Sequence, residues 1–334
     1  MRYVIALLAF VTLLPGAQGA SFSCSDARTP IEKAICADPA LSRADDVMAL
    51  AYVGAISGLT EEAEIVMRKG QRDWLDFADM VCSDQYLPGE DSAAVERPQC
   101  LQPLYAARLK VLEQSRMVGG MRFFTADTYR ALPDPDGGRF KAGLKVVSSL
   151  RMDGNDSLAN AFNAYMRQVT DDYTGDYTDF AGTTIDDSVA NEDNDFLMVL
   201  GGVNARRISV ELGLMWYGHG AVHANSGLGN FHFLTKEERP LAVTDMFEDK
   251  NWSTALSALV AERASVDLRD GEMTYDADTM MGFATDPQRW SFTRAGLMVQ
   301  FEDQDVTPGS PAVSVAWGRL RDYLAADANA IARP

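Results

Sequence analysis

The chain has 334 residues, with 30 Lys+Arg against 48 Asp+Glu and a formal net charge of −18. That sign counts against a nucleic-acid binder, which needs basic side chains to neutralise phosphates, and against a basic peripheral-membrane surface. Hydrophobic residues at 47% and charged residues at 23% rule out a wholly disordered chain and fit a globular protein with room for two domains.

The chain opens on an export signal. Arg2 supplies a positive start, Tyr3 to Leu14 is an apolar run too short to span a bilayer, and Pro15-Gly16 breaks it. Ala17 and Gly19 place small residues at −3 and −1, so residues 1–19 are expected to be removed by cleavage after Gly19. No membrane span is expected in the mature chain, which is placed in the periplasm or outside the cell. Its four cysteines, Cys24, Cys36, Cys82 and Cys100, are even in number and suit two local disulfides, Cys24–Cys36 and Cys82–Cys100, among three possible connectivities. A tetrathiolate zinc site is disfavoured because no Cys-x-x-Cys occurs.

Residues 20–115 read as helices. Thr29-Pro30-Ile31-Glu32 is a capping box with proline at the first helical position. Asp38-Pro39 restarts a second helix, Thr60 caps a third that runs through Trp74 to Cys82, and a fourth runs from about Cys100 to Leu112. Leu87 to Pro98 is expected as loop, and residues 116–142, rich in Gly, Pro and Asp, as a connector. From 143 to 334 the pattern changes to strands at Leu144–Met152, Phe196–Leu200, Ile208–Tyr217 and Asn230–Leu234. Helices are expected at Ser157–Thr170 and Trp252–Val266. A hairpin over Trp290–Phe301 splits near Gly296, a strand follows at Val313–Trp317, and a helix covers Gly318–Ala328. The expected fold is therefore a small disulfide-stapled all-α domain followed by an α+β domain with a largely antiparallel sheet.

Cys24, the run Ile31 to Pro39, Leu41, Asp45, Tyr52, Gln71 to Leu75, Cys82, Cys100-Leu101, Tyr105, Arg108 and Leu112 fall in the order of the LprI-type lysozyme-inhibitor domain, which residues 20–115 resemble. Between Trp74 and Cys82 the chain lacks the basic residue usual in that family. The resemblance implies an exported helical domain with a lysozyme-inhibitor-like role. Farther on, Asn204 to Tyr217 with Gly218-His219-Gly220-Ala221-Val222-His223, Phe231-His232-Phe233, Asp245-Met246-Phe247, the Phe292 to Phe301 hairpin and Val313 to Leu324 resemble the extracellular domain of RsiV-type anti-sigma factors. Val222 interrupts that family's Gly-Ala-His, and Gly309-Ser310-Pro311 replaces its Tyr and later Gly. This second resemblance implies a domain that binds lysozyme. With no transmembrane helix ahead of it, an anti-sigma role is not expected.

Three histidines, His219, His223 and His232, are the candidates for metal binding. The His-x-x-x-His pair would share a helix face, but the surrounding glycines favour a turn, so no metal and no cofactor is expected. Between Gln168 and Ala205 there is no Lys or Arg. This stretch holds nine acids: Asp171, Asp172, Asp176, Asp179, Asp186, Asp187, Glu192, Asp193 and Asp195. Tyr173, Tyr177 and Phe180 are interleaved. Asp171, Asp172, Tyr173, Asp176, Tyr177 and Asp179 are the candidate partner-binding residues, since carboxylates beside rings complement a cationic protein. Calcium is disfavoured for want of an Asp-x-Asp-x-Asp-Gly run. No nucleophile motif stands out, so no catalytic residue is assigned and an enzyme is not expected. Trp74, Trp216, Trp290 and Trp317 lie in amphipathic elements and read as core. The expected function is an exported protein that recognises, with or without inhibiting, a cationic cell-wall hydrolase of the lysozyme type. The alternative is a non-catalytic envelope adaptor that binds peptidoglycan or another periplasmic partner.

Overall fold

The computed structural model describes residues 20–83, 97–134, 140–175, 190–267, 276–301 and 312–333. The expected export signal, nearly all of the Leu87–Pro98 loop, and Asp176, Tyr177 and Asp179 lie outside these residues.

Local chemistry sets the helices. Thr29 Oγ1 accepts from the Glu32 N–H at 3.1 Å, and the Glu32 carboxylate accepts from the Thr29 N–H at 2.9 Å, which starts α1 (Pro30–Ala37) with the expected capping box. Asp38 Oδ1 then takes the N–H groups of Ala40 and Leu41, both at 2.8 Å, and opens α2 (Pro39–Ile56). Thr60 caps α3 (Glu61–Val81), and α4 (Arg97–Leu112) completes the helical region. Disulfides join Cys24 to Cys36 and Cys82 to Cys100, the pairing that suited the spacings. The core holds Leu41, Met67, Trp74 and Leu101, with the Tyr105 ring edge-on to Trp74 at 5.0 Å.

The next unit is a seven-stranded sheet: β1 (Met117–Val118), β2 (Met121–Pro133), β3 (Ala142–Met152), β4 (Glu192–Val203), β5 (Arg207–Gly218), β6 (Asn225–Leu234) and β7 (Arg239–Pro240), hydrogen-bonded in chain order. All neighbours are antiparallel except β3 and β4, which run parallel because α5 (Ser157–Thr174) makes the crossover. Phe162, Met166, Phe196, Met198, Ile208 and Phe233 fill the core beneath α5.

A third core closes the chain. The elements α6 (Val243–Met246), α7 (Trp252–Asp267) and α8 (Ala277–Thr285) pack with a three-stranded sheet of β8 (Trp290–Phe292), β9 (Gly296–Gln300) and β10 (Ala312–Ala316). A Cβ on Gly296 would lie 2.2 Å from the Val315 carbonyl oxygen, so only glycine lets the hairpin approach β10 this closely. The short helices α9 (Trp317–Leu320) and α10 (Ala328–Ala332) end the described chain.

Two sequence expectations change. About half of the expected connector, 13 of its 27 residues, is strand β2. Its fully hidden positions include Thr125 and Asp127, so burial there does not register as apolar alternation. The expected continuous helix over 318–328 is broken, because Leu324 bridges to Phe247 and the Ala325 N–H donates to the Met246 carbonyl at 2.9 Å.

The helical region is braced on the sheet through one buried charge. Arg108 of α4 donates through Nη1 to Asp127 Oδ2 (2.6 Å) and to the Tyr129 hydroxyl (3.1 Å), and through Nε to Gln71 Oε1 (3.0 Å). Asp127 also accepts from Ser148 at 2.7 Å and Thr125 at 3.0 Å, and both charged side chains are completely buried. Phe124 and Tyr129 of β2 belong to the helical core itself.

Candidate partner-binding surface

Asp171, Asp172 and Tyr173 lie in the last turn of α5. Both carboxylates are exposed, and that turn contains no basic residue. Two acids here face the negative end of the helix dipole, an arrangement that costs helix stability and leaves a strong negative potential at the surface. Tyr173 is held in place: its ring lies 6.3 Å from Phe196 and 6.1 Å from Phe231, and its hydroxyl is 3.1 Å from Gln288 Oε1. With 39% of its surface exposed, it presents a fixed ring beside the two acids.

The acids on β4 are differently employed. Lys145, fully buried on β3, donates to the Glu192 carbonyl at 3.0 Å, to Glu192 Oε1 at 3.2 Å and to the Asn194 side chain. Burial pushes the Lys145 ammonium down from its ordinary value, and Glu192 pushes it back up. Asp193 Oδ1 accepts from the Leu144 N–H at 2.8 Å and lies 3.1 Å from His219 Nε2. Two of the nine acids thus lock the parallel pairing of β3 and β4 instead of facing a partner. Asp195 is mostly buried, and this desolvation, helped by Asp193, raises its carboxyl to about 6. Sequence reasoning counted these acids with the others because Lys145 sits far away in the chain.

Beside them is an aromatic group with no obvious sequence signal. Phe140 stacks on His219 at 4.4 Å and meets Tyr217 at 5.7 Å. Trp216, expected in the core, is 43% exposed and donates its indole N–H to the Glu192 carboxylate. The other three expected core tryptophans are buried or half-buried: Trp74 and Trp290 lie in cores, and Trp317 stacks on Phe292. By alternation Trp216 shares the β5 face of Ile208, Val210, Leu212 and Leu214, but it lies past Leu214, the last of them to pack against that core.

The histidines have separate surroundings. His219 and His223 are in the turn after β5, not on a helix, and the exposed His223 Nδ1 lies 3.1 Å from the Ala224 carbonyl. His232 is buried on β6. Its Nε2 lies 2.8 Å from the Trp290 carbonyl, which can only accept, so Nε2 carries the proton and Nδ1 accepts from Ser209 at 3.0 Å. Burial, reinforced by nearby Arg207, lowers His232 to about 3 and keeps it neutral. Among the described residues, no group of three or more His, Cys, Asp or Glu side chains is placed to hold a metal ion, and no helix is long and apolar enough to cross a membrane.

Several residues that carry the first resemblance turn inward. Asp45 accepts from the Ser21 N–H and hydroxyl at 2.7 Å and from the Tyr105 hydroxyl at 3.0 Å, while Gln71 and Arg108 make the brace to β2. They shape the fold and are not offered to a ligand.

Residues 24–112 match the family described as lysozyme inhibitor LprI. No curated protein matches the chain. Among solved structures, a DUF3298-family member from Bacteroides fragilis is similar, with 14% identity over 63% of this chain and 96% of that one and a TM-score of 0.46. A DUF3298-family protein from Pseudomonas aeruginosa shares 11% identity over 62% of this chain and 96% of its own, with a TM-score of 0.45.

Proposed function

We propose that this chain is an exported binding protein that recognises a cationic cell-wall hydrolase of the lysozyme type. The match of residues 24–112 to a lysozyme-inhibitor family carries this reading. The exposed Asp171 and Asp172, set beside the anchored ring of Tyr173, supply the complementary chemistry: exposed carboxylates draw in and orient a cationic partner, and a rigid ring gives it a contact of low entropic cost. Asp176, Tyr177 and Asp179 extend the same chemistry along the chain. The RsiV-type resemblance of residues 143–334 assigns this surface to the second domain. Export fits the two disulfides. It also fits Ala20, the first residue after the proposed cleavage point, which is buried with its N–H 2.8 Å from Ser42 Oγ.

Capture of hen lysozyme by the immobilised mature chain, at low and at physiological salt, tests the reading. Binding that weakens as salt rises is expected, with Asp171→Lys/Asp172→Lys reducing affinity by about tenfold. Absence of binding at both salt concentrations overturns it. A lysis assay with the same proteins separates recognition from inhibition.

A further inference from the structure

Helix α2 has two apolar faces. Leu41, Met48 and Ala55 are buried in the helical core, while Val47, Leu50 and Val53 on the opposite side are 48%, 67% and 61% exposed. Residues 47–60 carry no charge, in a chain where charged residues make up 23%. Gly54 sits within this outer stripe, one turn beyond Leu50. It lies inside the helix, and a Cβ added to it would meet nothing within 4 Å. The packing of this chain therefore does not call for a glycine there, although glycine inside a helix costs about 1 kcal/mol relative to alanine. What it leaves on the surface is a notch where a side chain from another helix can seat.

Charges bound the stripe at both ends, and they differ in sign. Arg43 stands before it and Glu61 follows it at the start of α3. Both are exposed, and among the described residues neither side chain has an ion-pair or hydrogen-bond partner. Laid antiparallel about a two-fold axis at the level of Tyr52, two α2 helices bring Leu50 of each opposite Gly54 of the other. The same register sets Val47 opposite Ser57 and Arg43 toward Glu61, while the half-buried Asp46 falls opposite Gly58. No like charges meet, whereas a parallel pairing would set Arg43 on Arg43 and Glu61 on Glu61. Two copies of a chain with net charge −18 repel, and a contact free of charge is where that cost is smallest.

We propose that this chain forms a weak two-fold dimer through α2, with Leu50 of one copy seated on Gly54 of the other and Arg43 answering Glu61 at both ends. The contact lies on the helical region and uses none of Asp171, Asp172 and Tyr173, so it stands or falls independently of lysozyme recognition.

Sedimentation velocity of the mature chain, from about 1 to about 300 µM, tests the proposal. One helix face buries less than a standard interface, so the dimer should dissociate on the order of tens of micromolar. Leu50→Glu and Gly54→Leu, both at exposed positions, should each weaken it at least about tenfold while the far-UV circular dichroism stays unchanged. Arg43→Glu alone and Glu61→Arg alone should each weaken it about fivefold, and the two reversals together should restore it. A chain that stays monomeric over the whole range overturns the proposal. So does a dimer indifferent to Leu50→Glu and Gly54→Leu, or a double reversal no better than the single ones. A monomer whose Leu50→Glu variant loses lysozyme binding gives the face to that partner and overturns it equally.

Discussion

Burial disfavours the charged forms of both Asp195 and His232, yet the two drive stability in opposite directions as pH changes. Asp195 has its folded pKa raised from 3.8 to about 6, so its contribution is complete below pH 4 and is lost as pH rises through 6. His232 has its folded pKa lowered from 6.5 to about 3, so its contribution is present above pH 6.5 and is lost as pH falls toward 3. Replacing Asp195 with Asn removes only the first of these. At pH 7 the Asp195→Asn protein should be more stable by about 2–3 kcal/mol, with the difference vanishing below pH 4. Urea unfolding at pH 4, 5.5 and 7 measures it, and an equal effect at all three values would count against a buried, titrating carboxyl. The proton on His232 matters for another reason: the neutral ring links Ser209 of β5 to Trp290 of the third core, tying two packing units through one side chain.

At the scale of elements, the contact between α4 and β2 rests on a pair of charges with no access to water. Removing one partner strands the other. Arg108→Met should cost about 3–5 kcal/mol, whereas Arg108→Met combined with Asp127→Leu should recover most of the loss. Thermal melts of the two single variants and the double variant close that cycle; additive losses would mean that the pair is not coupled. The same brace explains what could be read in advance. Helix starts at Thr29, Asp38 and Thr60 were legible because caps are local chemistry written in three or four consecutive residues. Strand β2 was not, because Thr125 and Asp127 are buried by partners on α3, α4 and β3 that lie 19 to 58 residues away. Among the candidate site residues, Asp171, Asp172 and Tyr173 were proposed from the absence of Lys and Arg between Gln168 and Ala205. The structural duties of Glu192 and Asp193 stayed hidden because Lys145 and His219 reach them only across strands. The group around Phe140 leaves no trace in one-dimensional spacing, since Phe140 meets Tyr217 and His219 from far along the chain.

Over the whole molecule, the negative charge is spread unevenly in kind. Residues 20–115 carry nine basic against sixteen acidic side chains, net −7, and residues 116–334 carry twenty against thirty-two, net −12. Part of this charge is internal, spent on Arg108 and Lys145, so the field a partner meets is set by the acids that remain outside. The helical region also lends and borrows core: Phe124, Tyr129, Leu144 and Val146 of the sheet pack into it. A fragment covering residues 20–115 should therefore be less stable than the same region in the full chain, losing roughly 25 cal/mol for each Å² of apolar contact with β2 and β3. Circular dichroism of the fragment checks this, and a melting temperature equal to that of the full protein would contradict it.

The brace between Arg108 and Asp127 sets an order of events for a chain delivered N-terminus first. The four helices emerge complete with their cysteines, but the arginine that anchors them must wait for a strand that follows 19 residues later, and then for Ser148 after that. During this interval the helices hold an unanswered charge and an uncovered apolar face. This is the state in which a newborn chain is most open to a holding chaperone, to proteolysis or to mispairing of its thiols.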